Sequence, residues 1–245
     1  QATYLGFPGG LNLPYVDYLI ADRVTVPEDA QKYYREKLLY LPHCYLPRDT
    51  SVKPSPDTLK RTDFGLPDDG VVFCSFNHDY KINPPMFAVW MDLLRENPKS
   101  VLWLMKLNED AQKNLAASAN AYGIDPARLV FATRVPRIED HLARYRLADV
   151  CLDTFPYNGH TTTSDALLVG VPVVTMAGRG FASRVATSLL NDAQRRDLAV
   201  DTILAYKARA SDLVSQMVER KSATIQLDYT INGSGDFEAT LLKAS

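Results

Sequence analysis

The residues best suited to chemistry lie in one run, Asn158-Gly159-His160-Thr161-Thr162-Thr163-Ser164-Asp165. It follows an apolar stretch, Val150-Cys151-Leu152-Asp153, that reads as a buried strand. If the threonines open a helix, their free backbone N–H groups, their hydroxyls and the helix dipole together make a diphosphate site. Gly159 would let the backbone approach the anion closely. Asp165, about one turn further in, has a carboxylate that can accept from a ribose hydroxyl. The competing reading is an ordinary threonine-rich cap, with Asp165 merely complementing the dipole. The pattern alone leaves both open.

Three other positions have chemical potential. Lys81, in the loop from Asn77 and His78 to Pro84, could meet the same anion as a point charge; it could equally be a solvated loop lysine. His141, after the Pro136-Arg137 turn, could stack on a base or move a proton, or it could be a packing histidine. His43 stands between Pro42 and Cys44 with no partner pattern. The four histidines and three cysteines never pair at metal-ligand spacing. No G-x-S-x-G elbow, GxGxxG loop or Walker A sequence occurs, which argues against hydrolase, dinucleotide and kinase chemistry.

These loops need a scaffold, and the chain alternates accordingly. Strands are expected over residues 71–76, 100–107, 129–133, 150–153 and 171–176. Helices are expected over residues 84–96, 110–122, 138–147, 163–169 and 181–190. Such alternation, with apolar strand faces on both sides, predicts an α/β fold: a doubly wound parallel sheet of Rossmann type. Ligands then bind beyond the carboxyl ends of the strands. Before this region, residues 5–10 read as a strand ending in a glycine turn, 18–22 as another strand, 27–34 as helical and 37–41 as extended. Residues 47–56, with three prolines, read as a linker. At the far end, residues 223–229 and 237–242 read as the arms of a hairpin. The expected division is 1–57, 58–214 and 215–245.

Composition adds bounds. The chain has 245 residues, 46% hydrophobic and 23% charged, with a net charge of −2, so no bulk field recruits nucleic acid or an anionic membrane. No run approaches the length of a membrane span. Cys44, Cys74 and Cys151 are odd in number and lack CxxC spacing, which fits free thiols in a reducing cytoplasm. The chain opens on Gln1 without an initiator Met or a signal-type stretch, and reads as part of something longer.

Taken together, several segments resemble the O-GlcNAc transferase family. They are residues 148–154 with Asn158-Gly159-His160-Thr161-Thr162 and Asp165, Phe181-Ala182-Ser183-Arg184-Val185-Ala186, Tyr4-Leu5-Gly6-Phe7-Pro8-Gly9, Asp17-Tyr18-Leu19-Ile20-Ala21-Asp22, residues 36–43, and Asn77 through Lys81-Ile82. The resemblance implies a two-lobed GT-B fold, of which residues 1–57 would be a remnant of the first lobe. It also implies a UDP-sugar donor, UDP-GlcNAc in the family, with no metal and no further cofactor. Transfer would invert the anomeric centre onto a Ser or Thr hydroxyl of a protein. By position, His160, Thr161 and Thr162 would hold the diphosphate with Lys81, making Lys81 and His160 the catalytic pair. Asp165 would bind the ribose, His141 would lie against the uracil, and Leu5, Gly6 and Pro8 would border the sugar. His78 stands where vertebrate members carry glutamine. Arg137 lies near the family's ribose-contacting lysine, in a stretch one residue longer than theirs. Two other functions compete: a module that binds a UDP-sugar without turning it over, and another GT-B enzyme such as a sugar-nucleotide epimerase. The latter would keep the diphosphate loop without the matches at residues 5–9 and 182–186.

Overall fold

The computed structural model describes residues 1–106 and 108–233, with side chains as far as residue 219. Three short strands open the chain: β1 (Ala2–Thr3), β2 (Tyr18–Ala21) and β3 (Lys37–Tyr40), parallel and adjacent in that order. Alternation along β2 turns Leu19 and Ala21 inward, where they pack with Val26, Tyr45, Phe181 and Val185. Residues 5–10 do not form the expected strand. Leu5 has φ of 63°, and the N–H groups of Gly6 and Gly9 turn back onto the carbonyls of Tyr4 and Phe7. Donors consumed two residues away cannot serve a ladder. The helical expectation at 27–34 resolves as a 3-10 helix, Glu28–Tyr33.

The larger sheet holds β4 (Val72–Ser75), β5 (Val101–Met105), β6 (Leu129–Ala132), β7 (Val150–Leu152), β8 (Val173–Met176) and β9 (Ala199–Val200). All neighbours are parallel, in the order β6-β5-β4-β7-β8-β9. The chain winds outward from β4 to β6, returns to β7, and then winds the other way. The switch point therefore lies between β4 and β7, and their carboxyl ends lead into Asn77 and Asp153. In doubly wound sheets this crevice is where ligands bind. β4, β7 and β8 are buried at every residue, as strands covered on both faces must be.

The covering helices are α1 (Pro84–Glu96), α2 (Glu109–Ala121), α3 (Ile138–Tyr145), α4 (Thr161–Leu168) and α5 (Val185–Asp192). Asn83 caps α1, its side chain accepting from Met86 N at 3.1 Å, with prolines in the first turn where no N–H is needed. Asn108 caps α2 through Ala111 N at 2.8 Å. The helix expected over 181–190 divides into a 3-10 turn, Phe181–Ser183, and α5. Arg184 sits at the break, at φ −126° and ψ −5°, with Nε donating to Val24 O at 2.6 Å and Nη1 to Gly178 O at 3.1 Å.

Contacts divide the chain into Gln1–Ala210 and Ser211–Ser245, so the first two expected segments share one unit as far as Ala210. A sixth helix, α6 (Ile203–Gly233), takes in residues 223–229, expected as a hairpin arm. An established helix adds one hydrogen bond per residue, whereas a hairpin must nucleate afresh. The other arm, 237–242, lies outside the described residues.

Candidate functional site

The loop after β7 is folded around a buried carboxylate. Asp153 Oδ1 accepts from Gly159 N at 2.6 Å, Thr154 N at 2.8 Å and Asn77 Nδ2 at 3.3 Å. Its Oδ2 accepts from Thr175 Oγ1 at 2.6 Å. Burial pushes its pKa up to about 6, against the pull of these donors and of Lys81. Asn158 is locked inward too, its N–H on Ala182 O and its amide donating to the carbonyls of Thr154 and Met176. Asn158 therefore turns its side chain into the fold, and its backbone carbonyl accepts from Lys81 Nζ. A Cβ on Gly159 would stand 2.5 Å from Thr163 Oγ1 and 2.6 Å from Thr162 Oγ1. Packing of the loop on its own helix therefore already requires glycine here.

The chain then enters α4 at Thr161, two residues earlier than the expected start, with no side chain capping it. The backbone N–H groups of His160, Thr161, Thr162 and Thr163 have no hydrogen-bond partner among the described residues. The threonines do not cap their own helix: Thr162 Oγ1 donates across the crevice to Asn77 Oδ1 at 2.9 Å. Thr161 is exposed and lines a cavity of about 220 Å³ with Arg48, Ser164 and Asp165. Unpaired first-turn amides at an accessible helix end form a ready anion site.

Lys81 closes the other side of this crevice. Its Nζ donates to Asn158 O at 2.8 Å and stands 3.9 Å from the centre of the Tyr157 ring. Burial lowers its pKa, and Asp153 partly restores it. An ammonium carries three donors, so this contact leaves capacity for an incoming oxygen. His160 is half-buried, and burial together with Lys81 pushes its pKa down to about 4. At neutral pH its imidazole is uncharged. It can offer one N–H to an anion but no positive charge.

His78, Met105, Lys106, Arg134, Arg137 and His141 line a second cavity of about 750 Å³. His141 is fixed at both nitrogens. Its Nδ1 lies 2.6 Å from Arg144 Nη2, which can only donate, so Nδ1 accepts. Nε2 lies 3.5 Å from Asp165 Oδ2. Arg144 is itself buried, its Nη1 on Thr133 O and its guanidinium over the Phe76 ring. His78 is exposed and stacks on Tyr80, and Arg137 lies 3.6 Å from Glu139.

Asp165 is not the free acceptor expected from its position. It is 3% exposed, and Arg48 Nη1 donates to its Oδ1 at 2.5 Å and to Ser164 Oγ at 3.2 Å. Arg48 and Arg144 escaped the sequence reading. Arg144 leaves a signal, an arginine three residues after His141 on the same helix face. Arg48 leaves none, because it sits in the proline-rich linker, far along the chain from its partner. Leu5, Gly6 and Pro8 line neither cavity. Leu5 and Gly6 lie exposed on the surface, and Tyr4 ties their turn to the body through Tyr45 O. Among the described residues, no group of three His, Cys, Asp or Glu could hold a metal ion, and no helix is long and apolar enough to cross a membrane.

Comparison with known proteins agrees with this architecture. The family model of Glycosyl transferase family 41 matches residues 1–54 and 50–237. An Arabidopsis thaliana protein, the probable UDP-N-acetylglucosamine–peptide N-acetylglucosaminyltransferase SEC, is 36% identical over 93% of this chain and 24% of its own length. The Caenorhabditis elegans UDP-N-acetylglucosamine–peptide N-acetylglucosaminyltransferase is 46% identical over 53% of this chain and 11% of its own. The structure of an O-GlcNAc transferase mutant from Thermobaculum terrenum superposes with a TM-score of 0.75 at 32% identity, covering 87% of this chain and 40% of that one. The chain thus spans about a quarter of the length of the plant relative. The fold is the parallel α/β arrangement of GT-B glycosyltransferases. With matched segments running from its first residue almost to its last, the chain belongs to glycosyl transferase family 41.

Proposed function

We propose that this chain is the donor-nucleotide half of a protein O-glycosyltransferase that moves GlcNAc from UDP-GlcNAc to Ser or Thr hydroxyls. The observation that carries the reading is the run of N–H groups from His160 to Thr163, unpaired among the described residues, at the switch point with Lys81 beside it. Transfer loads negative charge onto the leaving diphosphate. Oriented amides and an ammonium aimed there stabilise it in the transition state, with no metal needed. Neutral His160 adds a hydrogen bond to the same group. The 750 Å³ cavity beside His141 suits the uracil, and Asp165 suits the ribose. An acceptor hydroxyl held in line could then displace the diphosphate with inversion. The proposed compartment is the cytoplasm, where Cys44, Cys74 and Cys151, all free thiols, stay reduced.

A second reading is that this chain alone binds the donor without transferring it. The observation in its favour is its quarter-length span of the plant relative. Calorimetric titration with UDP, UDP-GlcNAc and other UDP-sugars in EDTA tests the first proposal. Saturable binding of UDP, tightest with the GlcNAc conjugate, is expected. Absence of UDP binding refutes it. Transfer of labelled sugar to a peptide by the chain alone would refute the second reading.

A further inference from the structure

We propose that Arg48 is a positioning residue for the donor's ribose, acting through Asp165; this rests on the UDP-sugar reading above. The two side chains meet across more than a hundred residues of sequence, in a pair whose Asp165 side chain is 5% exposed and whose Arg48 side chain is 20% exposed. A carboxylate buried to that degree keeps one orientation only if a partner holds it. Arg48 supplies that hold: it donates to Oδ1 and, through the same Nη1, to Ser164 Oγ on the same helix. The planar guanidinium thereby constrains the carboxylate, which a flexible lysine could not do as well.

The remaining surroundings of Asp165 leave room for a diol. Among the described residues Oδ2 meets only the longer contact to His141 Nε2, at 3.5 Å. A carboxylate offers about four lone-pair directions, so acceptor capacity remains. Arg48, Asp165, Ser164 and Thr161 line the 220 Å³ cavity, and Ile138 lines both that cavity and the 750 Å³ one. A nucleoside bridging the two spaces would set its sugar against Asp165 and its base against His141. Among the described residues Arg48 Nε is buried without a partner. The segment expected only to link two regions thus reaches into the nucleotide site.

The test titrates UDP and 2′,3′-dideoxy-UDP against the wild-type chain, Arg48→Met and Arg48→Lys. Arg48→Met is expected to weaken UDP roughly tenfold and dideoxy-UDP by less than about twofold. Arg48→Lys, which keeps the charge but not the planar guanidinium, is expected to recover part of the UDP loss. Equal losses on both ligands would make Arg48 a structural or phosphate-directed residue and overturn the proposal, as would unchanged UDP affinity. If Arg48→Met does not fold, Arg48→Lys decides alone: a loss of about threefold confined to UDP supports the proposal, and any other pattern overturns it. Failure of the wild-type chain to bind either ligand is a different result, and it removes the UDP reading itself.

Discussion

Replacing Lys81 by methionine deletes one charge while keeping most of the stem that packs on Tyr157. An ammonium about 4 Å from a phosphate oxygen, at an effective dielectric near 20, gains roughly 4 kcal/mol. Part of that is offset, because the same amine already bonds Asn158 O and the phosphate must shed water. A net loss of about 2 kcal/mol remains, which is roughly thirtyfold in Kd for UDP. Uridine, which has the base and ribose but no phosphate, should bind the variant as it binds the wild type. Calorimetry with both ligands at fixed ionic strength reads the difference directly. The variant also strips Asn158 O of its donor, so thermal unfolding should show a destabilisation of about 1 kcal/mol. If UDP affinity is unchanged, or UDP and uridine weaken by the same factor, Lys81 does not face the diphosphate and the assignment of the crevice is wrong.

Two other changes test the scaffold of the same site. Gly159→Ala places a methyl group against the hydroxyls of Thr162 and Thr163, and should cost about 2–3 kcal/mol in urea unfolding along with UDP binding; a variant as stable as the wild type would show that the loop is not packed as described. His160 has a folded pKa of about 4, below its unfolded value, so the unfolded chain binds its proton more readily. Its contribution to stability is therefore complete above about pH 6.5 and is lost as pH falls toward 4. Its ring resonances by NMR should show no titration between pH 8 and 5.5; a step near 6.5 would mean an exposed, chargeable imidazole.

Much of this arrangement was legible because short-range physics suffices for it. The runs around Val72, Val101, Leu129, Val150 and Val173 are apolar on both faces, and such strands have few fates outside a covered parallel sheet. The threonine run after Asp153 likewise announced a helix beginning at a strand end. The errors share a cause. Residues 5–10 resemble a strand in composition, but Leu5 takes a left-handed backbone that composition does not reveal. Residues 223–229 alternate like a hairpin arm, but a short alternating run fits either period, and the helix already begun at Ile203 continues through it.

Patterns among residues close together in the chain were enough for a doubly wound parallel α/β fold and for the family resemblance, but they left open whether the threonine run is an anion site or an ordinary helix cap. Tertiary structure alone decided which groups stand around that loop and in what state of charge. Arg48 meets Asp165, Lys81 meets Asn158, and Asp153 gathers donors from Asn77 and Thr175 only after the strands have been brought side by side. Charge state follows burial and neighbours in space. That is why the neutrality of His160 and the pairing of Asp165 could be read only from the folded chain.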